Sequence, residues 1–385
     1  MQTFKERALE LLPELKELSQ YIYDNPELGY EEFLSSKAHI DMLEKYGFEM
    51  ELSPLDMETA YVARYRGDKP GITMAYLAEY DALPGIGHGC GHNILGATAL
   101  GAALVLKDYV KEKGGTLVLF GTPAEETSGA KVAFADHGYF KDVDVAICPH
   151  PSDYYFSSGK SLALAPIEFT FKGKTAHAAS EPQAGINALD ALLLTFNNVN
   201  ALREHILPSA RVHGIVKEGG LAANIVPEKS VGEFYVRTMT LDYMEELLEK
   251  VINCAKAGAL ATGCTMEYRD YEARYHNMVT NQTLSDHYDG LLEEMGVEVT
   301  PPRESFGSLD MGNVSQVCPS INPYFGISDH PIPGHTVEFR DATLTDLAME
   351  GMINTIVAMV KAMVDCNEDP ALLAAVKEEF ENRKR

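Results

Sequence analysis

Residues 162–271 change hydrophobic period in the order strand, helix, strand, strand, helix, strand, and few architectures accommodate that order. Alternating apolar positions mark 162–171, 211–217, 231–237 and 265–271 as strands, whereas 184–206 and 241–261 repeat at helical spacing. The order β-α-β-β-α-β is the ferredoxin-like arrangement, large enough to enclose a core of its own. Different material flanks it on both sides. The expected organisation is a first domain in residues 1–162, an inserted domain in 163–275, and the rest of the first domain in 276–385.

The flanking material reads as α/β. Apolar spacing predicts helices over 4–25 and 31–46, the second stopped by Gly47. Short apolar strands follow at 72–77, 116–120 and 143–148, with a Gly- and Ala-rich helix over 94–110 between the first two. Buried strands alternating with helices imply a mixed, mostly parallel sheet with helices on its faces. After the insert come a helix over 281–295, a strand over 320–327 and a long apolar helix over 344–364.

Thirty-two basic residues face 57 acidic ones, a formal charge of −25. Such a surface repels nucleic acid on average; solubility is its simplest reading, and a cationic substrate would also be favoured. No unbroken apolar run approaches the roughly 18 residues that span a bilayer. The first residues lack the basic-then-apolar layout of a secretory signal. A cytoplasmic protein acting on a small molecule, with neither nucleic acid nor membrane as partner, is the expectation. Six scattered cysteines form no CxxC pair, so they read as buried small hydrophobes, Cys90 excepted.

Chemistry-bearing residues follow each N-terminal strand. The first leads into Glu79 and Asp81, then His88, Cys90 and His92; the second into Glu125 and Glu126; the third into His150. Ligands in open α/β sheets bind beyond the carboxyl ends of the strands, so three strands bring candidate ligands to one edge. In HGCGHN, residues 88–93, the glycines allow a tight fold that turns a thiol and an imidazole toward one point. The same six residues would serve as a Gly-rich helix entry. In PAEE, residues 123–126, the paired carboxylates would be a common acidic turn if they stood alone. Beside a dication, one coordinates while the other accepts a proton from water. His150 lies between two prolines, and His335 could join only in a fold that closes back on itself.

At these residues the sequence resembles the M20 metallopeptidase family. The resemblance is to the branch of N-acyl amino acid amidohydrolases, aminobenzoyl-glutamate hydrolases and Xaa-Arg/Lys dipeptidases. The matching segments are AEYDALPGIGHGCGHNILGA, TPAEE, GKTAHAA, AANIVPE, GSLDMGNVS and GHTVEF, in the family's order. The resemblance implies two divalent ions per chain, zinc or manganese, held by Cys90, His92, Glu126, His150 and His335. It makes Glu125 the catalytic base and Asp81 a carboxylate that orients the site. His177 would steady the reacting carbonyl oxygen in the partner subunit's site, and Asn224 and Arg237 would hold the substrate. A turn histidine and a solvated strand-end arginine would explain His177 and Arg237 as simply. The implied molecule is a homodimer, joined through the insert acting as a lid, that hydrolyses the amide bond of a dipeptide or N-acyl amino acid. An aminopeptidase, or a binding protein that keeps the fold without catalysis, are the alternatives. The chain departs from much of the family in having Glu79-Tyr80-Asp81 for a His-x-Asp pair and Asn93 after CGH. Glu79 and His88 stand near the site without an implied role.

Overall fold

The computed structural model describes residues 3–303 and 307–383. These residues form two compact units. Ser161–Asn277, joined by Gly307 and Ser308, is inserted into a unit made from the chain on either side.

The outer unit opens with helices α1 (Phe4–Asp24) and α2 (Phe33–Lys45), then strands β1 (Glu49–Leu52), β2 (Tyr61–Arg66) and β3 (Thr73–Ala78). Helix α3 (His92–Lys113), strand β4 (Thr116–Gly121), helix α4 (Ala130–Asp136) and strands β5 (Val145–Ile147) and β6 (His150–Ser152) follow. Thr3 caps α1 through a reciprocal pair of hydrogen bonds with Glu6. Helix α2 begins two residues later than its apolar spacing suggests. The Glu27 carboxylate, outside the helix, accepts the Leu34 and Ser35 amides at 2.9 and 2.8 Å and fixes the start.

The inserted unit contains β7 (Ala163–Lys172), α5 (Ala188–Leu202), β8 (Arg211–Glu218), β9 (Lys229–Thr238), α6 (Leu241–Thr262) and β10 (Thr265–Arg269). Helix α5 is shorter than the predicted 184–206, because the Asn187 side chain caps it by accepting from Leu189 and Asp190. The four strands run antiparallel in the order β10-β7-β9-β8. Alternate residues of β7, from Ala163 to Phe171, point into a core shared with α5 and α6.

Helices α7 (Gln282–Glu294) and α8 (Met311–Ser315), strands β11 (Ser320–Ile321) and β12 (Tyr324–Gly326), and helices α9 (Val337–Ala342), α10 (Asp346–Glu368) and α11 (Pro370–Glu381) complete the outer unit. The single strand expected over 320–327 is two. Pro323 has no N–H to give a ladder, and after it the chain leaves β5 to pair with β6.

The main sheet has the order β1-β2-β4-β3-β5-β11. Pairings β4–β3, β3–β5 and β5–β11 are parallel, and the two at the β1 edge are antiparallel. The expected mixed, mostly parallel sheet is therefore present. Its central strands β3, β4 and β5 are apolar because both faces are covered. Met74, Tyr76, Leu117 and Leu119 pack beneath α1, α3 and α10, while Ala75, Leu77, Val118 and Phe120 pack beneath α4 and α8. Each such large side chain contributes about 1.5–3 kcal/mol on burial. Helix α3 owes its small residues to close packing: a Cβ on Gly101 would stand 2.5 Å from Ile356 and 2.7 Å from Leu15. Helices α3 and α10 are long and apolar enough to cross a bilayer, yet most of each is buried inside the protein, as core helices are.

Candidate metal centre

Strand β3 ends at Ala78, and Glu79 and Asp81 follow beyond its carboxyl end. The chain turns through Gly85, Gly87 and Gly91, whose φ angles are 74°, 77° and 81°, and so brings Cys90 and His92 back over the sheet edge. Strand β4 ends at Gly121; Ala124 then takes a left-handed φ of 64° and aims Glu125 and Glu126 at the same edge. His150 opens β6, just beyond the end of β5. His335 comes from far along the chain. Its φ is 60°, and its amide donates to the Gly89 carbonyl at 2.9 Å, which pins the returning segment beside Cys90.

These residues form three overlapping groups. The ligand atoms of Cys90, His92 and His150 all lie within 4.8 Å of one another, and so do those of Cys90, Glu126 and His335. Glu79, His92 and Glu125 make the third group. Cys90 belongs to the first two, with its Sγ 3.5 Å from His150 Nε2. Glu126 Oε1 lies 3.5 Å from His335 Nε2. Thus the structure brings Cys90, His92, Glu126, His150 and His335 together, with Glu125 beside them.

Hydrogen bonds fix the histidine tautomers. His92 Nδ1 lies 3.0 Å from the Asp81 carbonyl oxygen and 2.9 Å from Asp81 Oδ1. Both are acceptors, so Nδ1 donates and Nε2 is the nitrogen that faces the site. His150 Nδ1 likewise donates to the Pro151 carbonyl at 2.8 Å. Asp81 Oδ2 also accepts the Glu126 amide at 2.9 Å, so one carboxylate orients two of the five residues.

Electrostatics favour a cation here. Burial, with Glu79, Asp310 and Glu126 close by, pushes the Glu125 carboxyl well above the usual range. Burial also pushes the Cys90 thiol up, against the pull of His92. Among the described residues, Glu79 Oε2, His92 Nε2 and Glu126 Oε1 are buried acceptors with no hydrogen-bond partner. Buried acceptors facing one another cost free energy unless a cation joins them. A thiolate, imidazoles and carboxylates are donors that suit a zinc-like or manganese-like dication, so the residues fit such an ion.

In the inserted unit, His177 is exposed and its Nδ1 accepts the Ala179 and Ser180 amides at 3.2 and 3.1 Å. That leaves Nε2–H as an outward donor. Asn224 is adjacent, its carbonyl accepting the Ala178 amide at 3.0 Å. Arg237 is half-buried, donates to Ser308 Oγ at 3.0 Å and lies over the Tyr235 ring. His88 is buried outside all three groups. Sequence reasoning missed Glu32, Lys131 and Asp310, which hold the site from behind. Asp310 stands in the GSLDMGNVS segment, the one signal that could have drawn attention to it.

Comparison with known proteins agrees with this geometry. Residues 75–362 match the profile of peptidase family M20/M25/M40. The mouse Xaa-Arg dipeptidase is 33% identical over 403 residues, spanning 99% of this chain and 93% of that protein. One of the subunits of the Escherichia coli p-aminobenzoyl-glutamate hydrolase is 33% identical over 291 residues, 70% of this chain and 60% of that one. A Bacillus subtilis structure described as a dinuclear metal-binding peptidase of the M20 family superposes with a TM-score of 0.65 at 20% identity, covering 93% of this chain and 98% of that one. The chain belongs to peptidase family M20/M25/M40 and is a hydrolase of amide or peptide bonds.

Proposed function

We propose that the chain hydrolyses the amide bond of a dipeptide or N-acyl amino acid, with two divalent ions and Glu125 as general base. The observation that carries the reading is the pair of ligand triads sharing Cys90, with Glu125 alongside. Cys90, His92 and His150 would hold one ion, and Cys90, Glu126 and His335 the other. Thiolate favours zinc, while the carboxylate and imidazoles suit manganese equally. Bound there, the ions supply Lewis acidity, lowering the pKa of an attacking water and polarising the scissile carbonyl.

Glu125 accepts the proton of that water and passes it to the leaving amine. Its buried, carboxylate-rich surroundings raise its proton affinity, which suits a group that must hold and then release a proton. His177, an Nε2–H donor by its tautomer, would stabilise the developing oxyanion of a neighbouring subunit. Asn224 and Arg237 would hold the substrate carboxylate.

Beyond Tyr324, whose ring lies 5.3 Å from that of His150, a cavity of about 210 Å³ opens among Phe156, Met278, Leu309 and Arg303. It suits one side chain or small acyl group of the substrate. A homodimer through the inserted unit is supported by β8, a sheet edge that leaves Ile215 and Val216 exposed.

The test is a hydrolysis screen, with zinc or manganese added, of dipeptides, N-acyl amino acids and aminobenzoyl-glutamate. Amine release from at least one class is expected. Cleavage confined to peptides with a free N-terminal amine would make it an aminopeptidase, and inactivity of the metal-loaded protein on all classes would overturn the reading.

A further inference from the structure

Glu79 has no part in either triad of ligands, and its surroundings are unusual for a carboxylate. It is 2% exposed. Its Oε1 lies 2.7 Å from Lys131 Nζ, and Lys131 reaches Asp310 Oδ1 at 2.7 Å; none of the three side chains is more than 3% exposed. Cys148 Sγ adds a 3.5 Å contact to the same oxygen. One oxygen of Glu79 is therefore tethered, and the tether sets the direction of the other.

That other oxygen, Oε2, has no hydrogen-bond partner and lies 3.1 Å from His92 Nε2, which has none either. His92 commits its Nδ1–H to Asp81, so Nε2 turns a lone pair toward an anionic oxygen. Two lone pairs converging at that distance in a dry interior repel unless a proton or a metal ion lies between them, and the two compete for the same position. Lys131 does not relieve the conflict, since two carboxylates and one ammonium leave a negative charge in the interior. A cation between the two atoms reverses the sign. Ligand atoms about 2.0 Å from a tetrahedral ion stand about 3.3 Å apart, close to the spacing seen.

We propose that Glu79 is itself a metal ligand, bound through Oε2 to the same ion as His92, with Lys131 and Asp310 as positioning residues that aim it. The proposal rests on the two-metal reading of the site and extends its ligand set by a residue that neither the triads nor the family resemblance supplies.

Equilibrium competition against a chromophoric chelator, with zinc, would give stoichiometry and affinity, and the visible spectrum of the cobalt(II)-loaded protein would report coordination. Wild-type protein should bind two ions per chain. In Glu79→Gln, one ion should weaken by more than the roughly 10–100-fold that outer partners of a ligand cost, and the cobalt bands should shift. Glu79→Asp keeps the charge opposite Lys131 and so preserves folding, but withdraws the oxygen by one carbon–carbon bond. It too should weaken one ion and shift the bands. If Glu79 were only the counter-ion of Lys131, Glu79→Asp would bind both ions with wild-type affinity and an unchanged spectrum, and the proposal would fall. Wild-type protein that binds no ion would remove the two-metal reading instead, so the two failures are distinct.

Discussion

The Glu32 carboxylate accepts the Ala124 amide at 2.8 Å through one oxygen and the Thr59 hydroxyl at 2.8 Å through the other. Ala124 is the left-handed residue just before Glu125. Around it, Tyr30 donates its hydroxyl to the Ser128 carbonyl at 2.7 Å, and a Cβ on Gly29 would come within 2.8 Å of Ala124 Cβ and Thr127 Oγ1. The turn bearing Glu125 and Glu126 is thus clasped by the segment that precedes α2. Glu32→Ala leaves two buried donors unpaired, at a cost of about 2–6 kcal/mol. It also frees the turn, and an error of about 1 Å in a catalytic group costs about a hundredfold in rate. Urea denaturation and turnover at constant metal content would check both. Normal turnover in Glu32→Ala would show that the clasp does not position the base.

What the sequence could and could not reveal follows from how far each contact reaches. The ends of β3, β4 and β5 were legible, because buried parallel strands are short apolar runs and their carboxyl ends converge on one edge. His335 was reachable only through the expectation of a returning chain. The contacts of Glu32 with Ala124 and of Lys131 with Asp310 span 92 and 179 residues, and no local pattern distinguishes those residues from ordinary turn acids and a surface lysine. The strands of β1 and β2 carry Glu, Arg and Tyr in mixed order, since they form the edge of the sheet, and escaped the reading for that reason.

Glu125→Gln keeps the shape of the side chain and removes its ability to accept and carry a proton. Turnover should fall by about a hundredfold or more, while both ions stay bound. Single-turnover kinetics on metal-quantified protein would test this, and near-normal rates would remove Glu125 from the chemistry.

If His177 serves the partner subunit, two inactive variants can rescue each other. Co-expressed Glu125→Gln and His177→Ala chains should form mixed dimers that hold one intact pairing and recover part of the wild-type rate. Isolated mixed dimers without activity would place the His177 function within its own chain, or nowhere.

His39 gives a pH signature from a residue outside the ligand set. It is fully buried, its Nδ1 bonded to the Tyr61 hydroxyl at 2.9 Å, and burial lowers its pKa from 6.5 to about 3. The unfolded chain takes up a proton at about pH 6.5 and the folded chain does not until about pH 3, so stability is lost as pH falls through that window. The slope is about 1.4 kcal/mol per pH unit. His39→Gln loses packing at every pH but does not titrate. The stability gap between wild type and His39→Gln should therefore narrow by about 2 kcal/mol from pH 7.5 to pH 5.0. Urea titrations at the two pH values would measure it, and a constant gap would contradict the lowered pKa.

Gly91 separates Cys90 from His92, and its φ of 81° is one that only glycine adopts without strain. A Cβ there would also meet Pro151 Cγ at 2.6 Å and Phe339 Cε1 at 3.2 Å. Pro151 follows His150, so the displacement would pass straight to a third metal-facing residue. Gly47 supplies the control: its φ is 78°, but a Cβ would find nothing within 4 Å. Both alanine variants incur the left-handed strain, about 1–2 kcal/mol. Gly91→Ala adds an overpacking cost of about 1–3 kcal/mol and should weaken metal binding, whereas Gly47→Ala should bind ions as wild type does. Thermal unfolding and chelator competition on the pair separate backbone strain from displacement of the ligands. Equal metal affinity in the two variants would mean that the close approach of Gly91 to Pro151 has no bearing on the centre.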